Sequence, residues 1–271
     1  MTGPDVAGSL VPLRPAGDRP PLYCVHPVSG SAYVYGGLTA LLDPAQPVYG
    51  FEAPGYDDDR TPLGSFDALA SEYLGLLGPA AGRSYRLLGW SLGGALAFEL
   101  ARWLVAARAE VPVLVVVDTT APHREPLPAE RDLVHKFLTD LAALGGVSLP
   151  GLDRLLADFP PDADPERLLG AVARAELLPG EADADFLAYR YGVFRAHVAA
   201  VYDYAPPAGY GGPVTAVWAS ETPDEDRRWE RLVPQIRHHV VPGDHHSMWS
   251  GAGLGALALI VQAELDGAGG A

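Results

Sequence analysis

The residues best suited to chemistry in this chain surround a serine that has glycines two positions to either side. Residues 87–100 read LLGWSLGGALAFEL, in which Gly89, Ser91 and Gly93 fit the pattern G-x-S-x-G. The serine follows an apolar run and precedes a stretch of helical periodicity, which is the strand–turn–helix context of a nucleophile. Glycines beside such a strained turn avoid collisions across it. We therefore predict that Ser91 is a nucleophile rather than a plain turn residue, with helix amides beside it that favour an oxyanion.

A serine hydroxyl needs a base to remove its proton and a carboxylate to orient that base. In the order serine, acid, histidine that α/β-hydrolases use, four of the eight histidines come late enough: His238, His239, His245 and His246. The first two fall in or just before the apolar run RHHVVPG, where strand alternation indicates structural roles. One of the other two, in the loop VPGDHHSMW, is the predicted base. His26 ends the first apolar run, near the site but outside this order.

Two aspartates are candidates for the acid. Asp118 ends the apolar run VPVLVVVDTT as a lone carboxylate, although it could also cap the next segment. Asp224 follows the next predicted strand, in a loop that also contains Glu221, Glu225 and Asp226. Such a group of acids is equally typical of a solvated charge cluster. The residues alone leave both candidates open.

Short apolar runs alternate with stretches of helical periodicity, a pattern typical of an α/β protein. The predicted strands cover residues 21–27, 46–54, 84–90, 111–120, 212–220 and 237–243. Their near-continuous apolar character indicates a mostly parallel sheet that is covered on both faces by crossover helices, such as one predicted over 65–78. The length of 271 residues and the 48% hydrophobic content suit a single domain over 1–271.

The alternation stops between about 121 and 200, where helical pieces are separated by proline and glycine. Asp164 before Pro165 predicts a capped helix start within this insertion. The insertion directly follows a strand end that carries a candidate acid. We therefore interpret residues 121–200 as a helical lid over the site rather than as helical decoration.

The negative net charge of the chain limits the classes of molecule that it could bind. Thirty-four acidic residues against 19 basic residues give a formal charge of −15, which argues against nucleic acid or an anionic membrane as the main partner. The single cysteine, Cys24, cannot form an internal disulfide, and its strand position makes it no rival nucleophile. The N-terminal stretch is proline-rich and linker-like, without the pattern of a signal peptide, so a cytoplasmic location is expected. No run approaches the roughly 18 apolar residues of a membrane span.

Four segments, YCVHPVSGSAYVY, LLGWSLGGALAFELA, VVVDTTAP and VPGDHHSMW, occur in this order. Together they resemble the type I thioesterase domains of nonribosomal peptide synthetases and polyketide synthases, which belong to the α/β-hydrolase superfamily. The resemblance covers most of the chain and is weakest over the insertion. It implies a triad of Ser91, Asp118 and His245, and an oxyanion hole formed by the backbone amides of Val28 and Leu92.

The resemblance also implies that His26 and Pro27 shape the oxyanion loop and that the insertion is a mobile lid. One departure is His246, which stands where the family commonly has an aromatic or aliphatic residue. The implied reaction transfers an acyl or peptidyl chain from the 4′-phosphopantetheine of a carrier protein, in cis or in trans, onto Ser91. Water then gives a free acid, or an internal nucleophile gives a macrocycle. The reaction needs no metal and no bound organic cofactor.

Three other kinds of protein share part of this pattern. A type II editing thioesterase would share the fold and nucleophile, but its acid typically follows the next strand and its lid is smaller. A general serine esterase or lipase would use the same triad on simpler esters. A hydrolase-like binding protein without turnover would not need all three triad residue types in order.

Overall fold

The computed structural model describes residues 10–178, 182–224 and 228–268, and within them a seven-stranded sheet forms the centre of the protein. The strands are β1 Leu10–Arg14, β2 Leu22–Val25, β3 Val48–Phe51, β4 Ser84–Trp90, β5 Glu110–Val117, β6 Val214–Ala219 and β7 Ile236–Val241. Their order is β1-β3-β2-β4-β5-β6-β7, with β1 antiparallel to β3 and the other pairs parallel. The predicted α/β class with a mostly parallel sheet is confirmed.

Helices cover both faces of this sheet, which explains why the strands are apolar throughout. The helices are α1 Gly36–Leu41, α2 Phe66–Leu77, α3 Leu92–Ala106, α4 Glu130–Leu144, α5 Leu152–Ala157, α6 Pro165–Arg174, α7 Ala184–Tyr202 and α8 Gly251–Gly267. In β5, Leu114 and Val116 pack in the core beneath α2 and α3, whereas Val115 and Val117 pack on the opposite side with α1 and α8. Both sets of side chains of this strand are therefore buried.

All six predicted strands are present, although most are shorter than predicted, and the strand β1 at the edge was missed. The N-terminal stretch was expected to be linker-like, but Leu10–Arg14 pairs with β3 through a register that shifts between Pro12 and Arg14. Proline is tolerated in an edge strand because one side of the strand makes no ladder hydrogen bonds. Residues 1–9, which belong to the same stretch, lie outside the described residues.

The insertion between β5 and β6 contains the helices α4 to α7, and its described residues from 121 to 200 include no strand. As predicted, Asp164 caps α6, where its carboxylate accepts the amide of Glu166 at 2.8 Å and Pro165 stands in the first turn. All four helices contribute to a core of their own, which includes Leu133, Phe137, Leu152, Leu156, Leu168, Val172, Leu187 and Phe194. The insertion is therefore a packed helical unit with its own core. Helix α7 ends at Tyr202, just beyond the predicted boundary. No helix in the ranges that the structure covers has the length and apolarity of a membrane span.

Candidate functional site

Ser91 lies between the end of β4 and the start of α3, in the sharp turn that the sequence predicted. Its backbone has φ 56° and ψ −128°, a conformation that costs free energy for a residue with a side chain. A Cβ atom at Gly89 would overlap the Gly93 carbonyl, and one at Gly93 would overlap the carbonyls of Val25 and His26. Both glycines are therefore required because the backbone segments approach so closely.

Asp118 follows the end of β5 and lies beside His245 from the loop after β7. Its Oδ2 atom is 2.6 Å from Nδ1 of His245, while Oδ1 accepts hydrogen bonds from the Ala219 amide at 3.0 Å and the Thr222 hydroxyl at 2.7 Å. Burial raises the pKa of Asp118, but the hydrogen bonds from His245, Thr222 and Ala219 outweigh it and leave this pKa below its ordinary value. The carboxylate is thus ionised at neutral pH and holds the imidazole.

The contacts of His245 occupy one ring nitrogen and leave the other free to act as a base. An ionised carboxylate only accepts, so Nδ1 of His245 donates to Asp118 and Nε2 is left as the basic nitrogen. The ring also lies against Trp90, with centroids 5.0 Å apart. Ser91, Asp118 and His245 line the same cavity, so the structure brings the three predicted residues to one place.

The other candidates from the sequence have different surroundings. His246 contacts Asp140 of α4, with 2.8 Å between Nε2 and Oδ1, and so faces the insertion rather than Asp118. Asp224 is exposed and does not line the cavity, and its neighbours Glu225 and Asp226 lie outside the described residues. In the part of the chain that is described, the carboxylate that pairs with His245 is therefore Asp118.

His238, His239 and Cys24 lie away from the cavity. His238 and His239 are in β7, as predicted, and Nε1 of Trp218 donates to His238 Nδ1 at 3.0 Å. Cys24 is fully buried in β2, and burial raises the pKa of its thiol well above its ordinary value. A thiol that stays protonated in the core is a poor nucleophile.

The two predicted oxyanion donors also line the cavity. Leu92 is the first residue of α3, where a backbone amide has no acceptor within the helix. Val28 lies in the loop after β2, and in the described ranges no acceptor takes up its amide hydrogen. Both amides are consequently available to a charge that develops beside Ser91.

The cavity has a volume of about 760 Å³ and is built from two parts of the chain. The sheet side supplies the candidate site residues. The insertion supplies a second part of the wall through α4 and α7, with His135, Lys136, Thr139, Asp140, Val198, Val201 and Tyr202. Pockets of this size accommodate small organic molecules or one end of a longer chain. Among the residues described, no group of three or more His, Cys, Asp or Glu side chains could hold a metal ion.

Three contributors to the site were not predicted from the sequence. Thr222 donates to Asp118, Trp90 packs on His245, and His197 donates to the Val28 carbonyl at 2.8 Å. Trp90 stands next to Ser91 in the motif, so its position could have suggested a contact. Thr222 and His197 belong to no motif and come to the site only through folding.

A family model described as thioesterase domain matches residues 20–265. The chain belongs to this thioesterase family. The predicted resemblance to thioesterase domains is thereby confirmed. The domain is also related to multidomain synthetases. A segment of 129 residues is 37% identical to malpinin synthetase from Mortierella alpina and covers 45% of this chain and 2% of that protein. The matched segments span only 2 to 6% of the first three curated relatives.

The thioesterase domain also resembles solved structures. It superposes on a holo four-domain nonribosomal peptide synthetase bound to AMP and glycine with a TM-score of 0.80 and 26% identity, over 96% of this chain and 20% of that chain. It also superposes on BorB, a type II thioesterase from the borrelidin biosynthetic cluster, with a TM-score of 0.66 and 24% identity, over 95% of this chain and 96% of that chain. The likeness to BorB establishes a shared fold alone. The chain is thus a thioesterase domain of the nonribosomal peptide and polyketide synthase type.

Proposed function

We propose that this thioesterase domain releases a finished acyl or peptidyl chain from the phosphopantetheine arm of a carrier protein. The observation that carries this proposal is the bond between Asp118 and His245 in a cavity that Ser91 also lines and that the insertion covers. The relatives include a nonribosomal peptide synthase and a polyketide synthase, and the family model is that of a thioesterase, which supports a thioester substrate. A carrier domain, upstream in cis or separate in trans, is the proposed partner.

In the first half-reaction, Nε2 of His245 takes the proton of the Ser91 hydroxyl as Oγ attacks the thioester carbonyl. The carbonyl π electrons move onto oxygen, and the amides of Leu92 and Val28 donate to that oxyanion. When the intermediate collapses, the carbon–sulfur bond breaks and His245 returns the proton to the leaving thiol. The acyl group remains as an ester on Ser91.

In the second half-reaction, His245 removes a proton from a new nucleophile, which attacks the ester of Ser91. Water yields a free acid, whereas a hydroxyl or amine of the same chain yields a macrolactone or macrolactam. When this second intermediate collapses, the bond between the acyl carbon and Oγ breaks, and His245 returns the proton to Oγ, which restores the enzyme. Both amides act in both halves because each half passes through an oxyanion at the same place. The proposed chemistry requires neither a metal nor a bound cofactor, since the phosphopantetheine arrives with the carrier.

The position of the acid and the size of the insertion favour chain release over editing. Asp118 follows β5, whereas editing enzymes are expected to carry the acid after the next strand, near Asp224. The insertion adds four helices and its own core to one side of the cavity. Such a large cover suits a long chain better than the short acyl groups that an editing enzyme removes.

A competition between substrates tests the proposal. We expect a long acyl chain on a carrier protein to be released faster than acetyl on the same carrier, and pantetheine thioesters to outcompete nitrophenyl esters of the same acyl group. Faster removal of acetyl would favour the editing role, and preference for nitrophenyl esters would favour a general esterase. A fluorophosphonate probe should label wild-type protein but not Ser91→Ala, while Ser84→Ala, a change at an exposed serine, should be labelled normally. An intact protein without label at Ser91 would support a binding role without turnover.

A further inference from the structure

Two buried histidines from distant parts of the chain stack directly behind the loop that carries Val28. His26 follows β2 and His197 lies in α7, and their ring centroids are 4.9 Å apart with an angle of 22° between the planes. Both side chains have 0% exposure, and neither lines the cavity. The two histidines therefore contact the site only through the backbone of the loop that carries Val28.

The hydrogen bonds of this pair fix which ring nitrogens carry hydrogen. Nδ1 of His26 is 2.7 Å from the Pro27 carbonyl oxygen, and Nδ1 of His197 is 2.8 Å from the Val28 carbonyl oxygen. A carbonyl only accepts, so each Nδ1 donates. Nε2 of His26 then accepts from the Tyr73 hydroxyl at 2.5 Å. Burial lowers the pKa of His26 to about 3 and that of His197 to about 4, so both rings are neutral at pH 7.

These bonds hold the backbone on both sides of the Val28 α-carbon. The Pro27 carbonyl and the Val28 amide belong to one planar trans peptide and point in opposite directions. A donor from His26 to that carbonyl therefore fixes the direction of the Val28 amide. The donor from His197 fixes the following peptide in the same way, so that Val28 is held from both ends.

We propose that His197 is a positioning residue of the oxyanion hole, which it serves by holding the Val28 carbonyl from helix α7. This inference rests on the proposed function, in which the Val28 amide receives the oxyanion. Since Val198 and Val201 of the same helix line the cavity, α7 combines a wall of the substrate cavity with a support of the catalytic loop. His197 touches no reacting atom and acts through Val28.

The unused nitrogen of His197 indicates that the ring is more than packing. Within the ranges described, Nε2 of His197 is buried and has no hydrogen-bond partner. Leaving a buried polar atom unpaired costs stability, so an apolar ring of similar size would fill this position more favourably. The hydrogen bond to the Val28 carbonyl explains why a histidine occupies this position.

Two substitutions separate the hydrogen bond from the packing. His197→Phe keeps a ring to stack on His26 but lacks the donor, whereas His197→Asn lacks the ring but places an amide donor near the position of Nδ1. We expect the phenylalanine variant to lose about tenfold or more in kcat on an acyl-pantetheine thioester, with KM within about threefold, because loss of a whole oxyanion donor costs about 10²- to 10³-fold. The asparagine variant should stay within about threefold of wild type in kcat.

A phenylalanine variant with wild-type kcat would overturn the inference, as would an asparagine variant that loses as much as the phenylalanine one. A wild-type protein that forms no acyl-enzyme would instead refute the proposed function. Imidazole ¹⁵N NMR of the wild-type protein gives a test that needs no variant. It should show His197 neutral and protonated at Nδ1 at pH 7, and a proton on Nε2 instead would overturn the inference.

Discussion

Helices α4 and α7 of the insertion both line the cavity, but they differ in their polar contacts with the rest of the molecule. From α7, His197 donates to Val28, Arg190 donates to the Tyr56 carbonyl and Tyr189 donates to the carbonyl of Asp58. From α4, in the ranges the structure describes, the polar contacts beyond the insertion reduce to the one between Asp140 and His246. Among the described residues, helix α7 therefore has at least three polar contacts outside the insertion, whereas α4 has one and is otherwise held by its packing and hydrogen bonds within the insertion.

This difference changes how the predicted lid should be understood. Residues 121–200 were interpreted as one lid, but a unit that supports the oxyanion loop through α7 cannot swing away as a whole without disturbing that loop. We expect the end of α4 that carries Asp140 to move, with Asp140 and His246 as the contact that opens, while Glu130 at the start of α4 stays bonded to α7. Because His246 is adjacent to His245 in sequence, with ring centroids 5.1 Å apart, this contact lies beside the proposed base.

The largest effect should come from the fixed part of the site. Asp118→Asn should lower kcat by roughly 10⁴-fold, because an amide cannot hold His245 in the required tautomer or stabilise the imidazolium. Its melting profile should change little, since asparagine can still accept from Ala219 and Thr222. Asp224→Asn is the matched control and should stay within about a few-fold of wild type, as surface changes do. The reverse result would move the acid to the loop after β6 and the protein toward the editing enzymes.

The histidine pair behind Val28 should make the fold sensitive to acid. His26 has a pKa of about 3 and His197 a pKa of about 4 in the folded state, below the ordinary value of 6.5. Between the ordinary pKa and the folded-state pKa, the unfolded chain binds more protons than the folded protein does. The free energy of unfolding therefore falls as the pH drops from about 6.5 toward 4. The contribution of Asp118, whose pKa is lowered, is lost only at pH below its ordinary value of 3.8, outside this window.

Urea unfolding at pH 7 and pH 5 measures this effect. We expect a loss of up to about 4 kcal/mol in the free energy of unfolding, about 2 kcal/mol from each ring, since one pKa unit corresponds to about 1.4 kcal/mol and pH 5 lies 1.5 units below 6.5. His197→Phe should show a smaller loss because one of the two groups is removed. Equal stability at both pH values would mean that the two rings bind protons as readily in the folded protein as in the unfolded chain, which would contradict the effect of their burial on their pKa.

Hydrogen exchange compares the two helices directly. Amides of α4 should exchange faster than those of α7 and of the central strand β5, because regions with fewer attachments open more readily. An acyl analogue on Ser91 should slow exchange in α4 and leave α7 almost unchanged. Equal protection of α4 and α7 in both states would contradict the division of the insertion into a fixed and a moving part.

The smallest effect should follow from loss of the α4 contact. Asp140→Asn should speed exchange in α4 and change kcat by about a few-fold, because it weakens one pair without touching the proposed triad. Asp132→Asn makes the same charge change on the same helix, at a side chain with 59% exposure, and should leave both measurements unchanged. Identical behaviour of the two variants would show that the contact with His246 does not hold α4.

The sequence predicted best what local patterns encode. Gly89, Ser91 and Gly93 defined the turn, and the apolar strands defined the sheet, because backbone sterics and burial act over a few residues. The short helix α1, the long helix α8 and the edge strand β1 were not predicted. Leu10–Arg14 contains proline and is only partly buried, so its pairing with β3 comes from tertiary structure rather than from a strand-like pattern.

In the site, too, the contacts between distant residues could not be predicted from local sequence patterns. His245 and His246 are neighbours in one loop, and only the fold shows that the first contacts Asp118 and the second Asp140. His197 is separated by 169 residues from the carbonyl that it holds. No spacing rule reaches across such a distance, so a supporting contact of this kind emerges only when α7 packs against the loop.

Transfer of an acyl chain from a carrier protein to Ser91 tests the central claim most directly. The domain is mixed with a carrier protein that is loaded with a reactive acyl thioester. A carrier loaded with a nonhydrolysable analogue of the same chain length is the control. The intact masses of both proteins are followed over seconds to minutes. We expect the carrier to lose the acyl mass from the reactive thioester while the domain gains it at Ser91, before a free acid or macrocycle appears. Ser91→Ala should leave the loaded carrier intact. Transfer to Cys24, or release without any adduct at Ser91, would contradict the account.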